Sequence, residues 1–138
     1  MPWTNNGEKG EGLVVDDATL AAGVPVTGDA QDVAVLDFVS FAFELTQVAA
    51  TVVLWYYEGS TDGTNFKRMP VNEDTSSPPD VTLDNGVYKW TRAAGKDDWV
   101  HPNVRVTGLK KIRVVADSTG GTTDKLSVHS HGEALSAR

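Results

Sequence analysis

The chain has 138 residues, of which 40% are hydrophobic and 22% charged, a balance that calls for one domain with one buried core and excludes wholesale disorder. It carries a net charge of −7 and no cysteine, which excludes a disulfide framework, thiolate metal sites and cysteine nucleophiles. The acidity is concentrated at the front, where residues 1–37 hold Glu8, Glu11, Asp16, Asp17, Asp29, Asp32 and Asp37 against Lys9, a balance unsuited to phosphate and hence to nucleic acid.

Residues 1–12, "MPWTNNGEKGEG", are polar and glycine-rich and are expected to form an extended N-terminal arm, with residues 13–138 as the folded domain. Trp3 is the exception in that arm, and a large aromatic in a polar tail suits an anchor that docks on another surface. No apolar run approaches the roughly 20 residues that span a bilayer, so neither a membrane anchor nor a signal peptide is expected.

From residue 13 onward, short β-branched runs alternate with turn signals. In "FVSFAFELT", Val39, Phe41, Phe43 and Leu45 fall on one face and Ser40, Ala42 and Glu44 on the other, the period of a half-buried strand. The next run, residues 51–58, is apolar on both faces: Val53, Trp55 and Tyr57 alternate with Val52, Leu54 and Tyr56. This predicts a strand buried on both sides, its second face covered by the N-terminal segment or by a neighbouring subunit. "EGSTDGTNF" then reads as a hairpin loop, with Ser60, Asp62, Gly63 and Asn65 at its tip. "NFKRMPV" returns as a strand ended by Pro70, and the polar stretch 72–80, with two prolines, reads as a loop. Further strands are expected at "VTL", "GVYKWTR", "NVRVTG", "KKIRVVAD" and "DKLSVHSH". Eight to ten short strands without a helix predict an all-β antiparallel sandwich or jelly roll.

The stretch "LWYYEGSTDGTNFKRMPV", followed by "KKIRVVADS" and a last strand, resembles a sandwich module of bacteriophage virion proteins and, more distantly, discoidin-like carbohydrate- and lipid-binding domains. The match is carried by Gly59, Ser60, Asp62, Gly63, Asn65 and Phe66 after an aromatic strand, and by "GVYKWTRAAG". The phage resemblance implies a structural protein in the virion: a capsid decoration or cement subunit, or a neck or tail component, acting as a symmetric oligomer such as a trimer against a major capsid or other virion protein. The discoidin resemblance implies instead glycan binding at loops, here around residues 59–66 and 95–102, the second presenting Trp99. The cysteine pair that often brackets that fold is missing.

Chemistry-bearing patterns are sparse, and a non-enzymatic protein without a cofactor is expected. His129 and His131 share a strand face, which could hold a metal, yet no third ligand is fixed by spacing. His101 lies near Asp97 and Asp98, an arrangement read as a loop histidine before Pro102. Basic residues gather between Lys89 and Arg113, and alternation points Arg105, Lys111 and Arg113 outward. The expectation is therefore an acidic arm, with Trp3, Glu8, Glu11, Asp16 and Asp17, that lies on the basic face of the next subunit through Arg105, Lys111 and Arg113.

Overall fold

The computed structural model describes residues 12–46, 52–70, 81–84, 86–91, 96–119 and 124–134. Within them the chain is all-β. Its strands are β1 (Gly12–Leu20), β2 (Val26–Thr27), β3 (Gln31–Asp32), β4 (Phe38–Thr46), β5 (Val52–Ser60), β6 (Lys67–Arg68), β7 (Val81–Asp84), β8 (Val87–Thr91), β9 (Lys96–Arg105), β10 (Lys111–Thr119) and β11 (Asp124–Glu133). Strand β1 opens at Gly12, the last residue of the expected arm. The arm residues Trp3, Glu8 and Glu11 and the loop 72–80 lie outside the described residues.

The strands form two antiparallel sheets. The first has the order β1-β11-β4-β9, and the second the order β2-β10-β5-β8-β7, with β3 also pairing β10 and β6 pairing β5. When β2 and β3 are counted as one broken strand and β6 and β7 are set aside, the first sheet takes strands one, eight, three and six of the remaining set. The second takes two, seven, four and five. That interleaving of chain ends with chain middle is the double Greek key of a jelly roll, so the sandwich expected from strand count is met.

Alternation decides which side chains fill the space between the sheets. Val39, Phe41, Phe43 and Leu45 of β4 are at most 1% exposed and meet Val53, Trp55 and Tyr57 of β5, which are equally enclosed. The bulk of Trp55 is accommodated because its cross-strand neighbour on β10 is Ala116. Trp99 of β9 stacks on Phe43, its neighbour within the first sheet, at 5.0 Å and on Trp90 from the second sheet at 4.3 Å. Such stacked pairs add about 0.5–1.5 kcal/mol each beyond their area burial.

At the two edges of the first sheet, the backbone resists further pairing. Strand β1 is interrupted by register shifts and carries Asp17 at φ 46, while β9 carries Pro102 and Asn103 at φ 57 beside a shift between Val39 and Phe41 of its partner. Bulges and proline leave no regular ladder for another strand to extend.

Two expectations change here. Residues 97–102 are part of β9 rather than a loop, since Trp99 and His101 supply the alternating inward positions that hold the segment on β4. Only one face of β5 is fully buried: Val52, Leu54 and Tyr56 on the other side are half-buried, because no described element packs over the outer face of the second sheet.

Candidate functional site

Inside the sandwich, one polar chain crosses the interface. The Trp55 indole N–H donates to the Tyr57 hydroxyl oxygen at 3.1 Å, and that hydroxyl lies 2.7 Å from His101 Nδ1. With its oxygen already accepting from Trp55, Tyr57 directs its O–H to Nδ1, which leaves the His101 proton on Nε2. Tyr88 closes the cluster edge-on to the imidazole at 4.4 Å. Burial pushes His101 down to about 4 and raises the Tyr57 hydroxyl well above its ordinary value. His101 is thus neutral at pH 7, is 6% exposed and is oriented by Tyr57. Its chemistry is that of a structural cross-link between sheets.

The predicted hairpin tip is organised around one carboxylate. Asp62 Oδ1 accepts the backbone N–H groups of Thr64 and Asn65 at 2.8 Å and the Ser60 hydroxyl at 2.9 Å, while Oδ2 accepts the Asn65 side-chain amide at 2.7 Å. Those donors, led by the Asn65 backbone, hold the Asp62 carboxyl well below the usual carboxylate range. The Ser60 hydroxyl oxygen also accepts from the Gly63 N–H at 2.9 Å, and Gly63 takes φ 84, which its lack of a Cβ permits. At Gly59 a Cβ would stand 2.8 Å from Leu109 Cδ1 and 3.2 Å from Met69 Sδ, so a larger residue would have to displace those side-chain tips. The motif residues Gly59, Ser60, Asp62, Gly63 and Asn65 therefore build the turn, and both Asp62 oxygens are used within it. The neighbouring loop expected to present Trp99 does not exist as such; Trp99 is 4% exposed between Phe43 and Trp90.

The basic residues are divided between sheets. Arg105 ends β9 in the first sheet, whereas Lys111 and Arg113 stand on β10 in the second. The structure therefore does not bring the three to one sheet face, because the turn after β9 carries the chain across the sandwich. On the second sheet, Arg113 Nε donates to Glu58 Oε1 at 2.7 Å and its guanidinium covers the Phe66 ring at 4.1 Å. Arg68 lies 4.1 Å over the Tyr56 ring and donates to the Gly86 carbonyl at 2.8 Å. Beside it, Pro25, Leu54, Tyr56, Val87, Val115 and Asp117 line a largely apolar groove of about 150 Å³. Asp117 is committed to the backbone, accepting from Ser118 and Gly23 at 2.8 and 3.2 Å.

The opposite outer face carries acids from three strands, with Lys125 of β11 exposed on the same side. Glu44 on β4 stands directly opposite Asp98 on β9, and Asp16 and Asp17 are exposed on the bulge of β1 near Ser127, whose hydroxyl accepts the Asp17 N–H at 2.9 Å. His129 and His131 face outward on β11, as alternation expects, but their surroundings differ: His131 is exposed and His129 is 3% exposed. His129 Nε2 lies 3.5 Å from Glu44 Oε1; burial lowers its pKa, and Glu44 and Asp16 oppose the shift. Among the described residues, no group of three or more His, Cys, Asp or Glu is arranged to hold a metal ion.

Sequence reasoning missed the groove and the Glu44–Asp98 pair. Outward placement of Leu54 and Tyr56 follows from alternation, but their meeting with Val115 and Val87 depends on strand register. A scan against protein-family models finds no match, and a search of curated proteins finds no relative.

Proposed function

We propose that this chain is a non-enzymatic structural protein of a bacteriophage virion, a decoration or cement subunit that acts by contact between broad faces and a neighbouring shell protein. The supporting observation is where the polar chemistry lies. The imidazole and phenol that could serve a reaction are enclosed between the sheets, and the hairpin carboxylate is consumed by its own turn. What the described surface offers is a cationic apolar face on one sheet and an acidic face on the other. The virion assignment itself rests on the resemblance of the aromatic strand and the Ser60–Asn65 hairpin to phage sandwich modules. A subunit that buries such faces only on an assembled shell stabilises that shell by mass action.

Immunogold labelling with an antibody to the chain, applied to phage particles from a lysate that produces it, tests the reading. Labelling of the shell is expected. Labelling confined to the neck or tail would move the protein within the virion, and unlabelled particles together with capture on a glycan array would replace the reading with a carbohydrate-binding module.

A further inference from the structure

We propose that the two outer faces of the sandwich are complementary to each other, so that copies of this chain associate head to tail, the first sheet of one on the second sheet of the next. The inference does not depend on the virion reading, because both faces belong to the isolated chain.

The receiving face is the groove on the second sheet. Leu54, Tyr56 and Val115 supply its apolar floor; Leu54 and Tyr56 are half-buried and Val115 is buried, with the Arg68 guanidinium over the Tyr56 ring. Arg68 stands at its margin, over the Tyr56 ring and donating to the Gly86 carbonyl, contacts that restrict the side chain before docking. Lys89, the cross-strand neighbour of Leu54, adds a second cation to the same face. Of the acids nearby, Glu58 is paired with Arg113, and Arg68 and Lys89 outnumber Asp117, a lining carboxylate whose Oδ1 accepts two backbone N–H groups.

The inserting face is on the first sheet. Glu44 and Asp98 are direct cross-strand neighbours, an arrangement of like charges that costs the isolated sheet stability. Both are exposed, with the Glu44 side chain at 47%, so cations of a partner can reach them. Next along the strand, Val100 is 48% exposed on the same outward side as Asp98. An apolar side chain flanked by carboxylates on one face thus answers an apolar groove flanked by Arg68 and Lys89 on the other. For the first sheet, the bulged β1 and the proline-bearing β9 favour association through its face over its edges. Because the two surfaces differ, the contact is heterologous and generates a ring if the rotation closes or a stack if it does not.

Light scattering and sedimentation of the full chain, up to millimolar concentration, provide the test. Association is expected, and it should weaken as salt rises from about 0.05 to about 0.5 M, where the Debye length becomes shorter than the contact is wide. Tyr56→Glu blocks only the groove, and Val100→Glu blocks only the acidic face, so each alone should be monomeric while their mixture forms a dimer and nothing larger. Charge reversal gives an independent pair at surface positions: Asp98→Lys and Lys89→Glu should each weaken self-association at least about ten-fold, and mixing the two should restore it. A wild type that is monomeric throughout overturns the proposal. So does a Val100→Glu variant that associates like wild type, which would indicate a two-fold contact between grooves. Loss of association on deletion of residues 1–11, with both face variants still associating, would assign the contact to the arm and overturn it as well.

Discussion

The hydroxyl of Tyr57 on β5 and Nδ1 of His101 on β9 lie 2.7 Å apart, joining the two sheets through a pair of buried polar groups. If either partner is lost while the sandwich stays closed, the other is left as an enclosed imidazole or phenol without that bond. The contact works only while the imidazole is neutral, since Nδ1 must accept.

That requirement makes the fold acid-sensitive. His101 has a folded-state value pushed down to about 4 by burial, against an ordinary 6.5, so below 6.5 the unfolded chain takes up a proton that the folded chain refuses. Stability is complete above that value and declines as pH falls toward 4, by about 3 kcal/mol from this group. His129, held down by burial in the same direction, steepens the decline. Urea unfolding at a series of pH values should show it, and His101→Gln should flatten the slope between pH 6.5 and 4. An unchanged slope in that variant would remove His101 as its source.

Replacing Asp62 with alanine should loosen the hairpin without unfolding the sandwich. Four hydrogen bonds converge on this carboxylate from Ser60, Thr64 and Asn65. Its depressed pKa means its contribution is present above the ordinary 3.8 and disappears as acid protonates it. Amide exchange at Thr64 and Asn65 should quicken by about ten-fold or more, while β4 and β5 amides keep their protection. Equal acceleration across the core strands would mean that the hairpin is part of the cooperative unit.

Val35 is expected to be a site where substitution stabilises. It adopts φ 68 although β-branched, and it is 54% exposed, so its side chain gains little burial in return. The left-handed conformation costs such a residue about 1–2 kcal/mol, and asparagine tolerates it better. Val35→Asn should therefore raise the stability by about 1 kcal/mol in chemical denaturation. A loss of stability would show that the Val35 side chain makes contacts worth more than its strain.

Local pattern by itself determined the half-buried character of β4, the inward set Val53, Trp55 and Tyr57, the turn at Ser60–Asn65 and the all-β class. Each of these depends on alternation or on turn chemistry within a few residues, and such properties are legible wherever one side of a strand must be dry. Only the tertiary structure decided which strands became neighbours. Arg105 and Lys111, six positions apart in the chain, belong to different sheets because the intervening turn crosses the sandwich. Glu44 and Asp98, far apart in the chain, stand side by side. His101, read as a loop residue beside two aspartates, became an interior strand residue because alternation with Trp99 turns it toward Tyr57. Face chemistry is the sum over strands brought together by non-local pairing, and jelly-roll wrapping draws those strands from both ends and the middle of the chain. The residues of each face were therefore visible one at a time in the sequence, but their opposite charge became visible only in the fold.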